Sequence, residues 1–162
     1  MSHQPNDKDG SLREHLVNLL TGRHAHADFE TAAANLPREL QGRKPSAVPY
    51  SPWQLVEHLR IAQWDILEFS RNPSHVSPKW PEGYWPAEET PPEDGSWERS
   101  LAGFRADLEA FRRLVEDPAI DLFAPIPGGT GQTVLREAML IADHNAYHVG
   151  QLVLIRRLLK SW

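Results

Sequence analysis

The sequence contains no cysteine, and this absence removes several kinds of chemistry at once. Without a thiol the chain forms no disulfide bond, offers no thiolate ligand to a metal, and has no cysteine nucleophile. Long apolar runs are also missing, because no window of the sequence approaches the roughly 20 apolar residues that a membrane-spanning helix needs. The sequence therefore predicts a protein that does not cross a membrane and whose reactive groups are not thiols.

Basic residues are also scarce, with 17 lysines and arginines against 22 acidic residues and a net charge of −5. This balance argues against a nucleic-acid partner, whose phosphates need a basic surface. The length of 162 residues fits one domain, and 40% hydrophobic residues suffice for a core. Because the N-terminus is polar and lacks the apolar stretch of a secretory signal, we expect a flexible tail over residues 1–10, a folded domain over residues 11–162 and a cytoplasmic location.

Four amphipathic segments, separated by joints rich in proline and glycine, predict an all-α protein. The expected helices run from Ser11 to Pro37, from Ser51 to Arg71, from Ser96 to Glu116, and from about Gln132 to Leu159. The second helix has the clearest start, because Ser51 precedes a proline and Gln54 completes a capping box. Four helices of about 20–28 residues imply a four-helix bundle.

A long connection over residues 72–95 joins the second helix to the third and is dense in prolines and aromatic residues. A connection of this length in a small domain is often functional. Its Trp80, Tyr84 and Trp85 are expected either to line a site or to cover one end of the core.

Histidine is the side chain left to carry chemistry, and the chain has eight of them. His144 and His148 lie four residues apart in the last helix, so both side chains share one face. Two imidazoles so placed can bind one divalent cation. They continue an apolar stripe that points into the predicted bundle and consists of Leu140, Ile141, Leu152 and Ile155.

A third histidine, His58, falls on the apolar side of the second helix, beside Leu55 and Ala62. A buried histidine needs a hydrogen-bonding partner or a metal, because an unpaired polar group is costly to desolvate. Two interpretations follow: His58, His144 and His148 form one metal site, or they are three separately satisfied core histidines.

Polar residues near these histidines are weaker candidates. Asp65 lies two turns after His58 and is expected either to orient a ligand or to be solvated. Gln151 is expected to hydrogen-bond a ligand or a neighbouring helix, and Gly150 is expected to permit close helix approach. Tyr147 is expected either to reach the pocket or to pack at the bundle edge.

Several further polar residues receive no role in the site. Asp143 and Glu57 adjoin the candidate ligands in sequence but point about 100° away on an ideal helix. The other histidines lack a partner that spacing could identify and are expected to be solvated: His3, His15, His24, His26 and His75.

Two segments resemble the motifs of a known family. The segment at residues 143–151, DHNAYHVGQ, resembles the C-terminal helix motif of the DinB/YfiT-like metalloenzyme family, which is unrelated to the DNA polymerase of that name. The segment at residues 55–59, LVEHL, resembles the motif of the family's second helix, which supplies the first histidine. The order of these motifs matches the family across about residues 11–160.

The resemblance implies a four-helix bundle with long crossover connections and a divalent metal held by His58, His144 and His148. Zinc or nickel is the expected ion, with iron as a further candidate. Three histidine ligands leave positions open, as in catalytic sites. Characterised relatives include thiol-dependent transferases and a maleylpyruvate isomerase, and relatives are often homodimers. The resemblance therefore implies a small-molecule substrate, a low-molecular-weight thiol and a homodimer.

The sequence leaves two functions open. The first is an enzyme whose three-histidine metal site activates a thiol or water against a small electrophilic substrate. The alternative is a non-catalytic helical bundle with structural histidines that serves as a dimerisation or interaction module. Open coordination positions beside an accessible cavity distinguish the first from the second.

Overall fold

The computed structural model describes residues 7–22 and 25–162, and within these ranges it contains six α-helices, one 3-10 turn and no strand. The α-helices are α1 (Lys8–Thr21), α2 (Phe29–Ala33), α3 (Arg38–Gln41), α4 (Pro52–Arg71), α5 (Ser96–Glu116) and α6 (Val134–Leu158), and the 3-10 turn is Glu82–Tyr84. The predicted all-α class is confirmed. None of the helices in these ranges is both long and apolar enough to cross a membrane.

The four long helices pack together, with α4 against α5 and α6 and with α1 against the same two helices. The core has two clusters of buried side chains along its length. One cluster is built around Leu59, Phe104 and Leu152, and the other around Phe111 and Ile141. Each helix contributes an apolar stripe to these clusters, as the periodicity of the sequence predicts.

The first helix differs from its prediction at both ends. It begins at Lys8, because the carboxylate of Asp7 accepts a hydrogen bond from the N–H of Gly10 at 2.8 Å. It ends at Thr21, because Gly22 adopts the left-handed conformation with a φ of 67°. The predicted continuation to Pro37 is therefore wrong, and the chain forms the short helices α2 and α3 instead. His3, His24 and residues 1–6 of the predicted tail lie outside the described residues.

The other three helices agree with their predictions. In α4 the Ser51 hydroxyl accepts from the N–H of Gln54, and the Gln54 side chain accepts from the N–H of Ser51. This is the predicted capping box, and it satisfies two main-chain N–H groups at the start of α4. Helix α5 has the predicted bounds, and α6 starts two residues later than expected because Thr133 caps it.

Two buried arginines fasten the irregular segments to the long helices. The guanidinium of Arg156 on α6 donates to the main-chain oxygens of Ala32 and Ala34 at 2.8 and 2.7 Å, which holds α2 against α6. The guanidinium of Arg13 on α1 donates to the main-chain oxygen of Val115 in the last turn of α5 and to those of Asp117 and Ile120 beyond it. These contacts satisfy carbonyl groups that the packed helices shield from water.

Candidate metal centre

Three histidine side chains from two helices meet at one point between α4 and α6. The Nε2 atom of His58 lies 3.0 Å from Nε2 of His144 and 3.2 Å from Nε2 of His148. His58 and His148 are buried, and His144 is half-buried. The donor atoms of all three lie within 4.8 Å of one another, so the cluster could hold a metal ion. The structure thus brings together the three residues that the sequence singled out.

Hydrogen bonds on the far side of two rings fix where their protons lie. Nδ1 of His58 is 2.8 Å from the main-chain oxygen of Tyr84, and Nδ1 of His148 is 2.7 Å from Oε1 of Gln151. Both oxygens only accept, so each Nδ1 carries the proton and donates it. In the neutral rings the Nε2 atoms of His58 and His148 therefore carry no proton, and their lone pairs face each other.

This arrangement fits a divalent cation. A neutral His144 can donate one proton to His58, but the contact between His58 and His148 then still has no proton, and its two lone pairs repel. A cation removes that repulsion. Nitrogen atoms about 2.0–2.1 Å from a tetrahedral zinc ion lie roughly 3.3 Å apart, close to the 3.0 and 3.2 Å found here.

Burial keeps the three rings neutral. It lowers the pKa of His58 to about 4 against a weaker raising effect of the Tyr84 carbonyl. It lowers the pKa of His144 to about 3, with further lowering by the two neighbouring histidines. The pKa of His148 is also lowered by burial, which outweighs its hydrogen bond to Gln151. At neutral pH the lone pairs are therefore free of protons and available to a metal.

These pKa values predict how the metal-free protein responds to acid. Above pH 7 the histidines are neutral whether the chain is folded or unfolded, so they impose no penalty. As the pH falls below 6.5, the unfolded chain takes up protons while folded His58, with a pKa of about 4, does not. We expect His58 alone to lower the free energy of unfolding by about 2 kcal/mol between pH 8 and pH 5. Urea unfolding at the two pH values measures the loss.

The matched variant for this experiment is His58→Gln, which cannot take up a proton. Its loss of stability between pH 8 and pH 5 should be smaller than that of the parent by about the same 2 kcal/mol. An identical pH dependence in the parent and the variant would contradict the assigned neutral state of His58.

The connection between α4 and α5 packs directly against the histidines. The indole of Trp85 stacks on the His58 ring with a centroid distance of 3.8 Å and an angle of 3° between the planes. Tyr50 stacks on the other face of Trp85 at 4.2 Å. Trp80, by contrast, is 70% exposed. Trp85 also packs against the core cluster that contains Leu59, so this segment takes both of the roles left open for it.

Asp65 reaches His58 through Tyr84 and not directly. Its carboxylate is buried and accepts hydrogen bonds from the Tyr84 hydroxyl at 2.6 Å and from Nε2 of His75 at 2.7 Å. Burial and this hydrogen bond raise the pKa of Tyr84 to about 12. The solvated alternatives for Asp65 and His75 are both wrong, because the connection folds back onto α4 and buries the pair. Asp65 thus anchors the turn whose carbonyl orients His58.

A second polar chain lies behind His144 and was not found from the sequence. The amide of Asn145 donates to Oε1 of Gln63 at 2.9 Å, and the amide of Gln63 donates to the main-chain oxygen of Phe104 at 2.6 Å. Gln63 is buried on the apolar side of α4. A buried glutamine in an apolar stripe is the one signal that could have identified this contact.

The remaining sequence candidates lie at the edge of the site. Tyr147 is 64% exposed and touches His148 edge-on, with ring centroids 4.9 Å apart. Gly150 faces open space, so the expected close helix approach does not occur within the described part of this chain. Glu57 is paired with Arg60. His15 and His26 are exposed, as predicted.

A family model described as the DinB superfamily matches residues 22–152 of the chain. The chain belongs to the DinB superfamily. The matched range includes all three clustered histidines, and the resemblance inferred from the two motifs is therefore confirmed. No curated protein and no solved structure matches the chain.

Two cavities of this DinB-superfamily chain lie apart from the histidines. One of 410 Å³ lies among α1, α2, α5 and α6, with Phe29, Phe104 and Val149 in its wall. The other, of 520 Å³, lies between the α3 region and the start of α5. Neither is lined by His58, His144 or His148, and of these three residues only His144 is half-buried.

Gln151 provides a test of how the cluster is oriented. The Gln151→Leu substitution removes the acceptor for Nδ1 of His148 and should lower the affinity for Zn²⁺ by about 10-fold or more, since such outer partners typically contribute 10–100-fold. Gln151→Glu keeps an acceptor oxygen at the same place and should retain the parent affinity. Competition with a chromogenic chelator measures both, and equal losses in the two variants would contradict the orienting role.

Proposed function

We propose that this chain is a divalent-metal-dependent enzyme whose ion is held by His58, His144 and His148. Zinc or nickel is the ion proposed first, with iron next. The observation that supports the proposal is the convergence of three Nε2 atoms. Two of them, in His58 and His148, are unprotonated because the Nδ1 atom of the same ring donates to Tyr84 or Gln151. Membership of the DinB superfamily supports it independently.

The donor set favours catalysis over a purely structural role for the ion. The group contains three imidazoles and, among the described residues, no carboxylate or fourth histidine within reach. Structural zinc sites normally fill all four positions with protein ligands, whereas catalytic sites leave one open. When bound, a metal with an open position supplies Lewis acidity and lowers the pKa of a coordinated water or thiol.

The chain's own residues shape the surroundings of that position. Trp85 covers one face of His58 and excludes water from it, while the Tyr84 carbonyl and Gln151 hold two rings in place. Half-buried His144 and exposed Tyr147 leave one side open. A small substrate is proposed to approach from that side.

The proposed reaction is attack by a thiol or by water on a small electrophile. Because the chain has no cysteine, any thiol must arrive as a substrate or cofactor of low molecular weight. No carboxylate belongs to the clustered donor group of the described residues, so activation of the nucleophile is assigned to the metal site and not to a side-chain base.

Metal analysis of the protein purified without a histidine tag tests the metal part of the proposal. After incubation with Zn²⁺ or Ni²⁺ and removal of the excess, we expect about one equivalent per chain. Less than about a tenth of an equivalent with either ion would contradict it.

A thiol-transfer assay tests the catalytic part. A small thiol and a nitroaryl halide serve as probes, and the metal-loaded protein should accelerate their reaction while His148→Ala should not. If the metal-loaded protein accelerates the reaction no more than His148→Ala does, the three-histidine site does not carry out this chemistry. The non-catalytic interaction module is then favoured.

A further inference from the structure

A buried side-chain oxygen next to the histidine cluster lacks a hydrogen-bond partner. Among the described residues, three buried side-chain polar atoms form no hydrogen bond, and they are Nε1 of Trp53, Oγ of Ser100 and Oδ1 of Asn145. Asn145 directly follows His144 in α6, so its oxygen is the one of the three that adjoins a candidate metal ligand in sequence. Buried polar atoms are normally paired, because desolvation without a partner costs free energy. Packing alone therefore does not account for this oxygen.

A main-chain oxygen of α5 fixes the direction in which the Asn145 amide points. The oxygen of Phe104 only accepts, so Gln63 must turn its Nε2 atom toward it, at 2.6 Å, and its Oε1 atom away. Oε1 of Gln63 also only accepts, so Asn145 faces it with Nδ2 at 2.9 Å. Gln63 is 1% exposed, and water therefore does not compete for these contacts. The Oδ1 atom of Asn145 must then point away from Gln63.

The histidine that lacks an outer acceptor is His144. Its Nε2 atom lies 3.0 Å from Nε2 of His58, so Nδ1 is the ring nitrogen that remains for an outer contact. Within the part of the chain that the structure describes, this Nδ1 atom forms no hydrogen bond like those of the other two rings with Tyr84 and Gln151. The cluster therefore contains one ring without an outer acceptor, beside an acceptor without a donor.

The Asn145 side chain acts electrostatically on the ring of His144. Burial lowers the pKa of His144 most strongly, the two neighbouring histidines lower it further, and the side chain of Asn145 raises it. This raising effect is that of an acceptor, because an acceptor oxygen stabilises the protonated ring. The amide nitrogen of Asn145 is engaged by Gln63, so the oxygen is the atom that faces the ring.

We propose that Asn145 is a positioning residue whose Oδ1 atom, aimed by Gln63, accepts the Nδ1 proton of His144 when Nε2 binds an ion. A neutral ring has one proton, and a ring that binds through Nε2 carries it on Nδ1, where it can reach this oxygen. Histidine ligands almost always donate that proton to an outer partner, which fixes the ring and raises its basicity. The inference rests on the proposed metal function and gives each of the three rings one outer acceptor.

Zinc affinity tests the role of this oxygen. Asn145→Leu removes the acceptor and keeps a side chain of similar size, and it should lower the affinity for Zn²⁺ by about 10-fold or more, as the loss of an outer partner typically does. Gln41→Leu is the matched control, because it removes another buried amide, which donates to the main-chain oxygen of Leu36 at 3.4 Å. Its affinity should equal that of the parent. Competition with a chromogenic chelator measures all three proteins.

A double substitution separates the positioning role from a contribution to stability. Asn145→Leu alone leaves Oε1 of Gln63 unpaired, and adding Gln63→Leu removes that unpaired group. Because replacing both partners by apolar side chains can be nearly neutral, the double variant should recover most of the lost stability in urea unfolding. It should keep an affinity for Zn²⁺ about 10-fold or more below that of the parent. An affinity that recovers together with the stability would overturn the positioning role.

Nitrogen-edited NMR of the Zn²⁺-loaded protein observes the proton itself. In the double variant the Nδ1 proton of His144 should shift upfield from its position in the parent, since it loses its acceptor. The Nδ1 protons of His58 and His148 should not move, because their acceptors are unchanged. An unshifted His144 proton, or equal affinities of Asn145→Leu and the parent, would overturn this inference alone. A parent that binds no Zn²⁺ would contradict the proposed metal function as well, so the two failures are distinguishable.

Discussion

Replacing His144 with alanine is expected to lower the affinity of the protein for Zn²⁺ by at least about 100-fold. Even partners that only orient a ligand contribute 10–100-fold, and His144 offers one of the three donor nitrogens itself. Two imidazoles remain in His144→Ala, at the 3.2 Å contact between His58 and His148, and they hold an ion less tightly than three. Isothermal titration with Zn²⁺ measures the change.

The control for this experiment is His15→Ala, which removes an exposed histidine from α1. Its affinity should equal that of the parent. Equal affinities of His144→Ala and the parent would show that the ion binds elsewhere. Equal losses in both variants would show that the change reflects general histidine content and not this cluster.

The largest expected loss of stability is that of Phe104→Ala, about 3–5 kcal/mol. The Phe104 ring is 1% exposed and stacks on Phe29 with a centroid distance of 3.8 Å, so its removal leaves a cavity where α2 meets α5. The substitution keeps the main-chain oxygen of residue 104, which accepts the hydrogen bond from the Gln63 amide. Its effect is therefore one of packing, and chemical denaturation at pH 7 measures it.

Phe123→Ala is the matched control, because this phenylalanine is 62% exposed. Its stability should lie within about 0.5 kcal/mol of the parent, as for most surface substitutions. Similar losses in the two variants would contradict the assignment of Phe104 to the core.

Local signals predicted the long helices well and the irregular segments poorly. The start of α4 follows from Ser51, Pro52 and Gln54, which lie within one turn and satisfy one another's hydrogen bonds. The end of α1 at Thr21 was missed because Leu36 and the alanines before it extend the apolar pattern beyond Gly22. A hydrophobic pattern carries no information on whether a glycine adopts the left-handed conformation that ends a helix. The side chain of Arg156, which ties α2 to α6, is equally invisible to a pattern that places charges outside.

The candidate site also has parts that the sequence predicted and parts that it did not. The pair His144 and His148 follows from spacing on one helix, and the placement of His58 on an apolar stripe correctly anticipated that it meets them. The pairing of Asp65 with His75 and Tyr84 could not be predicted, since it depends on how the connection between α4 and α5 folds back. Sequence spacing reports neighbours within an element, and only the tertiary fold reports those between elements.

The family and the geometry together limit what this chain can do. Membership of the DinB superfamily accounts for the helical fold, and the three clustered imidazoles form a group that could hold a metal ion.

Anomalous diffraction from a crystal of the untagged protein soaked in Zn²⁺ tests the central claim most directly. The account predicts one strong peak between α4 and α6, about 2.0–2.1 Å from the Nε2 atoms of His58, His144 and His148. A soaked crystal with no peak at that point, or with its strongest peak at other residues, would contradict it.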